Sequence, residues 1–166
     1  GRIKTLDGNR YAQVFTNKGY FAKLYPMDRK SEAGAALKLF CKEFGVPERL
    51  TFDGSKEQNC KNTIFMKQIR SHGINHHTVE PGMHNENPAE GVIQEIRKKW
   101  YRTMIRKRCP RELWDYGFNW VTEIMSMTYS TAGSLDGGIP ITGVTGDTHD
   151  ISEYLDFGIC DKVWYK

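Results

Sequence analysis

The segment from residue 88 to residue 110 constrains the fold more than any other part of the chain, because a proline stands at each end of it. Pro88 occupies a position that is favoured in the first turn of a helix, whereas Pro110 cannot continue one. Apolar residues recur between the prolines at the spacing of one helical face. This stripe consists of Val92, Ile93, Ile96, Trp100 and Met104. We therefore predict one helix of about twenty residues that packs the stripe against a core.

The remaining surface of this helix is rich in positive charge. Residues 97–111 include eight basic residues among fifteen and no acidic residue. Helical geometry predicts which residues lie on the same face of the helix as Glu90, and these residues are polar. These are Gln94, Arg97, Lys98 and Tyr101, and Arg102 follows directly. Two interpretations stay open at this point: a solvated helix surface, or the binding surface for a polyanion such as nucleic acid.

The order of the other elements predicts the fold class. Residues 10–27 are rich in β-prone aromatic residues around Asn17-Lys18-Gly19, which predicts two strands and a turn. Ser31 is the predicted N-cap of a helix that ends near Phe44, before Gly45 and Pro47. The predicted core stripe of that helix consists of Ala35, Ala36, Leu37, Leu39, Phe40 and Phe44.

Further along the chain, strands and helices alternate. We predict strands at residues 49–53 and 74–79, with a helix at residues 62–71 between them and a last helix at residues 111–129. The tail from residue 133 is rich in Gly, Thr and Asp and is predicted to be irregular. The fold class is therefore α/β, with a mixed sheet flanked by helices. We expect one domain over residues 1–132 and an extension over residues 133–166.

Composition excludes several classes of protein. Hydrophobic residues make up 39% and charged residues 27% of the 166, which is ordinary for a globular domain, and no apolar run is long enough to cross a membrane. Four widely spaced cysteines without a CxxC pair argue against a zinc site and a disulfide scaffold. We expect four reduced thiols in an intracellular protein. The start at Gly1, without a signal pattern, suggests a fragment of a larger protein.

Two carboxylates stand at positions where metal ligands are common. Asp53 ends a predicted strand, at the edge where open α/β sheets bind ligands, and Glu90 lies in the first turn of the long helix. Together they could hold Mg²⁺, which prefers oxygen ligands. The alternatives are that Asp53 is a turn residue at a strand end and that Glu90 only complements the helix dipole.

Four stretches in this order resemble the integrase catalytic core of copia-type retrotransposons. They are "RYAQVFTNKGYFAKLYPM", "RLTFDGSKEQ", "HGINHH" and "NPAEGVIQEIRKKWYR", and the tail "GVTGDTHDISEYLDFGICDKVWY" is similar to the segment that follows that core. The resemblance implies a ribonuclease H-like fold whose D,D-35-E acidic triad binds two Mg²⁺ or Mn²⁺ ions. It also implies 3'-end processing of element DNA, strand transfer into a target duplex, a homo-oligomer and a nuclear location. Asp53 then takes the place of the second acid and Glu90 that of the third.

Two departures from the family pattern bear on activity. Thirty-six residues lie between Asp53 and Glu90, one more than in the pattern, and the loop at residues 80–87 can absorb the difference. The first acid of the triad belongs on a strand before residue 1, so the first strand of the fold is expected to be truncated. Asp7 is not a substitute for this acid, because "LDGN" predicts a hairpin turn. Asp28 is not a substitute either, because it lies just past the second strand predicted within residues 10–27. Whether this fragment is an active enzyme therefore stays open.

Other interpretations remain beside this one. The chain could be a catalytically inactive element remnant that only binds nucleic acid through residues 97–111, or a ribonuclease H-type hydrolase. The hydrolase would require further acids near Glu90, and only Glu95 is present, on a different helical face. His84 and Asn87, in the loop before Glu90, are expected to be surface residues, and the alternative is that they contact DNA or order the loop. Trp100, Trp114 and Trp120 are predicted to be core residues and not base-stacking platforms. 

Overall fold

The computed structural model describes residues 3–53, 62–79, 88–131 and 137–163. The strands are β1 (Tyr11–Thr16), β2 (Ala22–Met27), β3 (Arg49–Asp53) and β4 (Asn75–Val79). The helices are α1 (Ala33–Phe44), α2 (Ile64–Ser71), α3 (Pro88–Lys107), α4 (Trp114–Met127), α5 (Thr142–Thr145) and α6 (Ser152–Asp156). This order confirms the predicted α/β class, and α3 has the predicted length of 20 residues.

The predicted hairpin is confirmed. β1 and β2 are antiparallel, with Tyr11 opposite Met27 and Thr16 opposite Ala22. The side-chain oxygen of Asn17 accepts hydrogen bonds from the backbone N–H groups of Gly19 and Phe21, which closes the turn between the strands. This is the local bonding that makes asparagine favourable in turns.

The start of α1 differs from the prediction. A 3-10 turn at Lys30–Glu32 precedes the helix, and neither it nor α1 has a side-chain cap, so the predicted capping role of Ser31 is wrong. The core face of α1 is also rotated from the predicted stripe. Ala36 and Leu37 are buried as expected, but Leu39 and Ala35 are exposed. Tertiary packing against α2 decides this rotation. Gly34 lies so close to α2 that a Cβ on it would be only 2.6 Å from the backbone nitrogen of Phe65.

The strand–helix–strand unit after α1 is parallel. β3 and β4 pair in parallel register from Arg49 opposite Asn75 to Asp53 opposite Val79, and α2 connects them. Thr63 caps α2 by accepting a hydrogen bond from the Met66 N–H at 3.3 Å. The expected single mixed sheet is not what the described residues form. They form one antiparallel pair, β1–β2, and one parallel pair, β3–β4, in separate sheets.

Helices cover both faces of the hairpin. On one face, α1 and α2 enclose a first core cluster that includes Phe15, Tyr25, Leu37, Phe52, Phe65 and Ile69. On the other face, α3 and α4 enclose a second core cluster that includes Ala22, Val92, Ile96, Trp100, Val121 and Met125. Burial of such side chains is the main favourable term in folding, so the two clusters fix the hairpin between the helix pairs.

The tail is more regular than predicted. It contains the short helices α5 and α6, and Ser130 forms an isolated antiparallel bridge with Gly138. Ile141 is buried, and Ile159 packs against the second core cluster. The proposed domain boundary at residue 132 stays a prediction. In the described part of the chain, every helix is too short or too polar to span a lipid bilayer.

Candidate functional site

The candidate site begins at the end of β3. Asp53 is the last residue of this strand, opposite Val79, the last residue of β4. Because β3 and β4 are parallel, their carboxyl ends lie at the same edge, as the sequence predicted for Asp53. The side chain of Asp53 is exposed, whereas that of the preceding Phe52 is buried.

Phe52 fixes the end of β3 through its ring contacts. Its ring meets Phe65 of α2 edge-on, with centroids 5.2 Å apart, and stacks on His76 of β4 at 6.0 Å. Aromatic pairs in these geometries stabilise a structure beyond their buried area. The strand residue next to Asp53 is therefore held from two sides, which limits where the carboxylate can move.

Glu90 lies in the first turn of α3 and is exposed. The residue before it, Ala89, lines a cavity of about 420 Å³ together with Thr51 and Phe52 of β3. The immediate neighbours of Asp53 and Glu90 therefore border one cavity. The start of α3 and the end of β3 therefore contribute to the lining of the same cavity, although 36 residues lie between the two acids in sequence.

The predicted polar face of α3 points outwards. Arg97, Lys98 and Tyr101 are exposed, with Tyr101 exposed by 60%. Gln94 and Arg102 are exposed as well. The predicted inner stripe is confirmed, because Val92, Ile96 and Trp100 are each at most 4% exposed. Contact of the outer residues with DNA stays a prediction.

Most cations of this face have no acidic partner within the part of the chain that the structure describes. Lys98 lies 4.0 Å from Glu95 and Lys107 is paired with Asp161. Among the described residues, no carboxylate oxygen lies within 4.0 Å of the other six basic residues of the run. These are Arg97, Lys99, Arg102, Arg106, Arg108 and Arg111. As far as the described residues show, these six cations have no carboxylate partner, and such a charge distribution is suited to phosphate binding.

The end of α3 is cross-linked to the tail. Cys109 and Cys160 form a disulfide with Cα atoms 5.8 Å apart, so the expectation of four reduced thiols is wrong for this pair. Cys41 is a free thiol, and burial raises its pKa. Cys60 lies outside the described residues. No sequence pattern indicated this pairing, because the two cysteines are separated by 51 residues and only folding brings them together.

The ion pair beside the disulfide strengthens the same junction. Lys107 donates a hydrogen bond to Asp161, and the Gly158 N–H donates a second one at 2.9 Å. Both hydrogen bonds hold the pKa of the Asp161 carboxyl below its usual value, the Lys107 bond having the larger effect. The end of α3 is thus held by a disulfide and an ion pair, and the candidate site comprises only the start and the outer face of this helix.

The other predicted site residues have structural surroundings. Asp7 lies in the predicted turn and accepts a hydrogen bond from the Tyr116 hydroxyl at 2.6 Å, which raises the pKa of Tyr116. Trp100 and Trp120 pack in or against the second core cluster, as predicted. The Trp114 indole N–H donates to the Ile3 carbonyl. His84, Asn87 and the rest of the loop at residues 80–87 lie outside the described residues.

The acids meet the requirement for a metal site only in part. Asp53 and Glu90 offer the oxygen ligands that Mg²⁺ and Mn²⁺ prefer. Within the residues that the structure describes, no group of three His, Cys, Asp or Glu side chains is arranged to hold a metal ion. Two acids without a third do not complete a two-ion site, so we derive no catalytic step through the metal.

Comparison with known proteins leaves the assignment to the chain's own residues. No family model matches the sequence, and no curated protein matches it either. The site is therefore defined by its geometry: two acids whose neighbours share a cavity, and an exposed cationic helix face that begins beside them.

Proposed function

We propose that the chain is the core of a metal-dependent polynucleotidyl transferase with a ribonuclease H-like fold, an integrase of the copia retrotransposon type. Its reaction would process DNA 3' ends and join them to a target duplex. One observation carries the proposal: Phe52 of β3 and Ala89 of α3, the residues that precede Asp53 and Glu90, line one cavity. The exposed cationic face of α3 continues from that point.

Charge gives each part of the site a role. Asp53 and Glu90 would bind Mg²⁺ or Mn²⁺, which activates a water or hydroxyl nucleophile in phosphoryl transfer when two ions are bound. Arg97, Lys98 and Arg102 would bind phosphates of the DNA backbone, and this interaction depends on salt because it releases counterions. Gln94 and Tyr101 add hydrogen-bond donors that can position the same backbone. A homo-oligomer and a nuclear location belong to the same proposal.

A DNA-joining assay tests the proposal. It uses the larger polypeptide of which this chain is expected to be a fragment, so that the first acid of the triad is included. Joining of a labelled DNA end to a target duplex should require Mg²⁺ or Mn²⁺. Glu90→Gln and Asp53→Asn should each reduce joining at least a hundredfold, since each removes a negative ligand from the metal. Both variants should bind the DNA duplex within about twofold of the parent protein, because the cationic face is unchanged.

Glu112→Gln is the matched control. Glu112 is an exposed carboxylate in the 3-10 turn Arg111–Leu113, and its substitution makes the same charge change at the opposite end of α3 from the cavity-lining Ala89. It should join DNA at the parental rate. Joining that survives Glu90→Gln at the parental rate would remove Glu90 from the active site and end the proposal.

A second function is favoured by one observation. Among the described residues, no carboxylate lies within 4.0 Å of Arg97 or Arg102 on the exposed face of α3, and such cations bind phosphates without a metal, as in an element remnant that binds nucleic acid without catalysis. Salt-dependent DNA binding combined with no joining in either metal would support the remnant. Hydrolysis of an RNA–DNA hybrid without DNA joining would instead indicate a ribonuclease H-type enzyme.

A further inference from the structure

The outer face of α3 carries an exposed apolar pair among its cations. Tyr101 is 60% exposed and Ile105 is 57% exposed. Residues four apart on a helix are neighbours, so the two side chains lie next to each other, and Arg97 and Lys98 lie on the preceding turn beside Tyr101. The apolar pair therefore adjoins two exposed cations, while the buried stripe of the same helix packs in the second core cluster.

Tyr101 differs from other tyrosines of the chain. The hydroxyl groups of Tyr25, Tyr116 and Tyr154 each donate a hydrogen bond to a carboxylate. Among the described residues, the Tyr101 hydroxyl has no such acceptor, and no aromatic ring packs against the Tyr101 ring. A single exposed tyrosine needs no explanation. An exposed aromatic ring next to cations, however, is the combination with which proteins bind the base faces and phosphates of nucleic acids.

Charge and burial favour a nucleic acid as the ligand of this face. Among the described residues, no carboxylate oxygen lies within 4.0 Å of Arg97 or Arg102, and Lys98 has only that of Glu95 at 4.0 Å. Such cations can bind the phosphates of a strand. A membrane surface would require a broad exposed apolar face, whereas the apolar stripe of α3 is buried in the second core cluster. Two exposed apolar side chains among cations therefore fit a nucleic-acid strand better than a lipid surface.

The exposed ring indicates which form of nucleic acid this face binds. In a duplex each base stacks on its neighbours, and a side chain on a docked helix ordinarily reaches base edges and the backbone. A base of a single strand has an open face on which an aromatic ring can stack. We propose that the outer face of α3 binds single-stranded nucleic acid, with the Tyr101 ring stacked on a base and with Arg97 and Lys98 bound to adjacent phosphates.

The ring and the cations contribute differently to this binding. Arg97 and Lys98 neutralise phosphates and release counterions, so they set the salt dependence of the affinity. Tyr101 makes its contact with a base, so it adds affinity without changing the salt dependence. This contact tolerates any sequence, because every base has a π face. The proposal rests on the nucleic-acid binding of the proposed function and not on its catalysis, and it adds the form of nucleic acid that is bound.

Fluorescence anisotropy with three labelled ligands of equal length tests the proposal on the polypeptide of the joining assay. The ligands are a strand of twelve thymidines, an abasic strand with the same number of phosphates, and a blunt DNA duplex. Tyr101→Ala should weaken binding of the thymidine strand at least about fivefold, because stacking on a base is lost. Its affinities for the abasic strand and the duplex should stay within about twofold of the parental values, and its salt slope should be unchanged.

Two variants are matched controls. Tyr101→Phe keeps the ring without the hydroxyl and should bind the thymidine strand within about twofold of the parent protein. Tyr116→Ala removes the same side chain from a position in α4 where it is 53% exposed. It should leave the affinities for all three ligands unchanged, because Tyr116 lies outside the outer face of α3.

Three outcomes would overturn the proposal. A Tyr101→Ala effect that is absent, or equal for all three ligands, would show that the ring does not stack on a base. A loss in Tyr101→Phe as large as that in Tyr101→Ala would assign the contact to the hydroxyl. Absence of single-strand binding would also reject it, and binding to phosphatidylserine vesicles instead would assign the face to a membrane. Base-dependent binding by a polypeptide that never joins DNA would keep this inference and reject the transferase, so the two proposals fail separately.

Discussion

The two faces of α3 differ in burial and in charge. The inner face places Val92, Ile96 and Trp100 in the second core cluster, while the outer face presents Arg97 and Lys98 to solvent. Gly117 of α4 brings the helices into close contact, because a Cβ there would lie 2.4 Å from the Trp100 ring. One helix can therefore be altered on either face with different consequences. This separation makes a DNA-binding role testable without unfolding the protein.

The largest effect should come from the inner face. Trp100→Ala removes a side chain that is 4% exposed and should lower the free energy of unfolding by about 3–5 kcal/mol, because it leaves a cavity in the second core cluster. Chemical denaturation monitored by circular dichroism measures the loss. Tyr101→Ala, one residue on and 60% exposed, is the control and should change stability by less than about 1 kcal/mol. Similar losses for both would contradict the division of faces.

The cross-linked end of α3 should give the next largest effect. Replacing Cys109 and Cys160 together by serine should lower the free energy of unfolding by about 2–4 kcal/mol, since the disulfide closes a long loop. Cys41→Ser is the control and should cost less, because Cys41 is a free thiol. DNA affinity of the folded double variant should stay within about twofold. A large loss of affinity would instead mean that the junction shapes the binding face.

The outer face should affect binding and not folding. Arg97→Ala and Lys98→Ala should each weaken DNA binding and reduce the slope of log affinity against log salt by about one, because each loses one phosphate contact. Fluorescence anisotropy over a salt series measures the slope. Lys38→Ala, which removes an exposed cation from α1 on the opposite side of the hairpin, is the control. An unchanged slope in all variants would show that DNA does not contact this face.

The smallest effect concerns the ion pair between Lys107 and Asp161. The pKa of Asp161 is lowered in the folded chain, so its stabilising contribution is present above the ordinary carboxyl pKa of about 4. It is lost as pH falls through the lowered folded value, when the carboxylate becomes protonated. The melting temperature of Asp161→Asn should therefore lie slightly below that of the parent at neutral pH and converge with it in acid. Asp156→Asn, an exposed carboxylate of α6, controls for net charge.

Local patterns predicted the elements well, and they failed where distant packing decides. The prolines and apolar spacing defined α3, and Asn17 and Gly19 defined the hairpin turn. The sequence pattern predicts an N-cap at Ser31 that the chain does not use, because the 3-10 turn moves the start of α1 beyond that residue. The same limit applies to the sheet. A sequence pattern shows that a strand forms but not which edges pair.

The residues of the candidate site were predicted from the sequence, whereas the structure shows which other residues surround them. The position of Asp53 at a strand end and of Glu90 in a first helical turn follows from local signals, because caps, turns and periodicity act within a few residues. That Phe52 and Ala89 line one cavity, and that Cys109 meets Cys160, depends on contacts between segments far apart in the chain. Such contacts form only when both core clusters are buried together, and no local pattern specifies them.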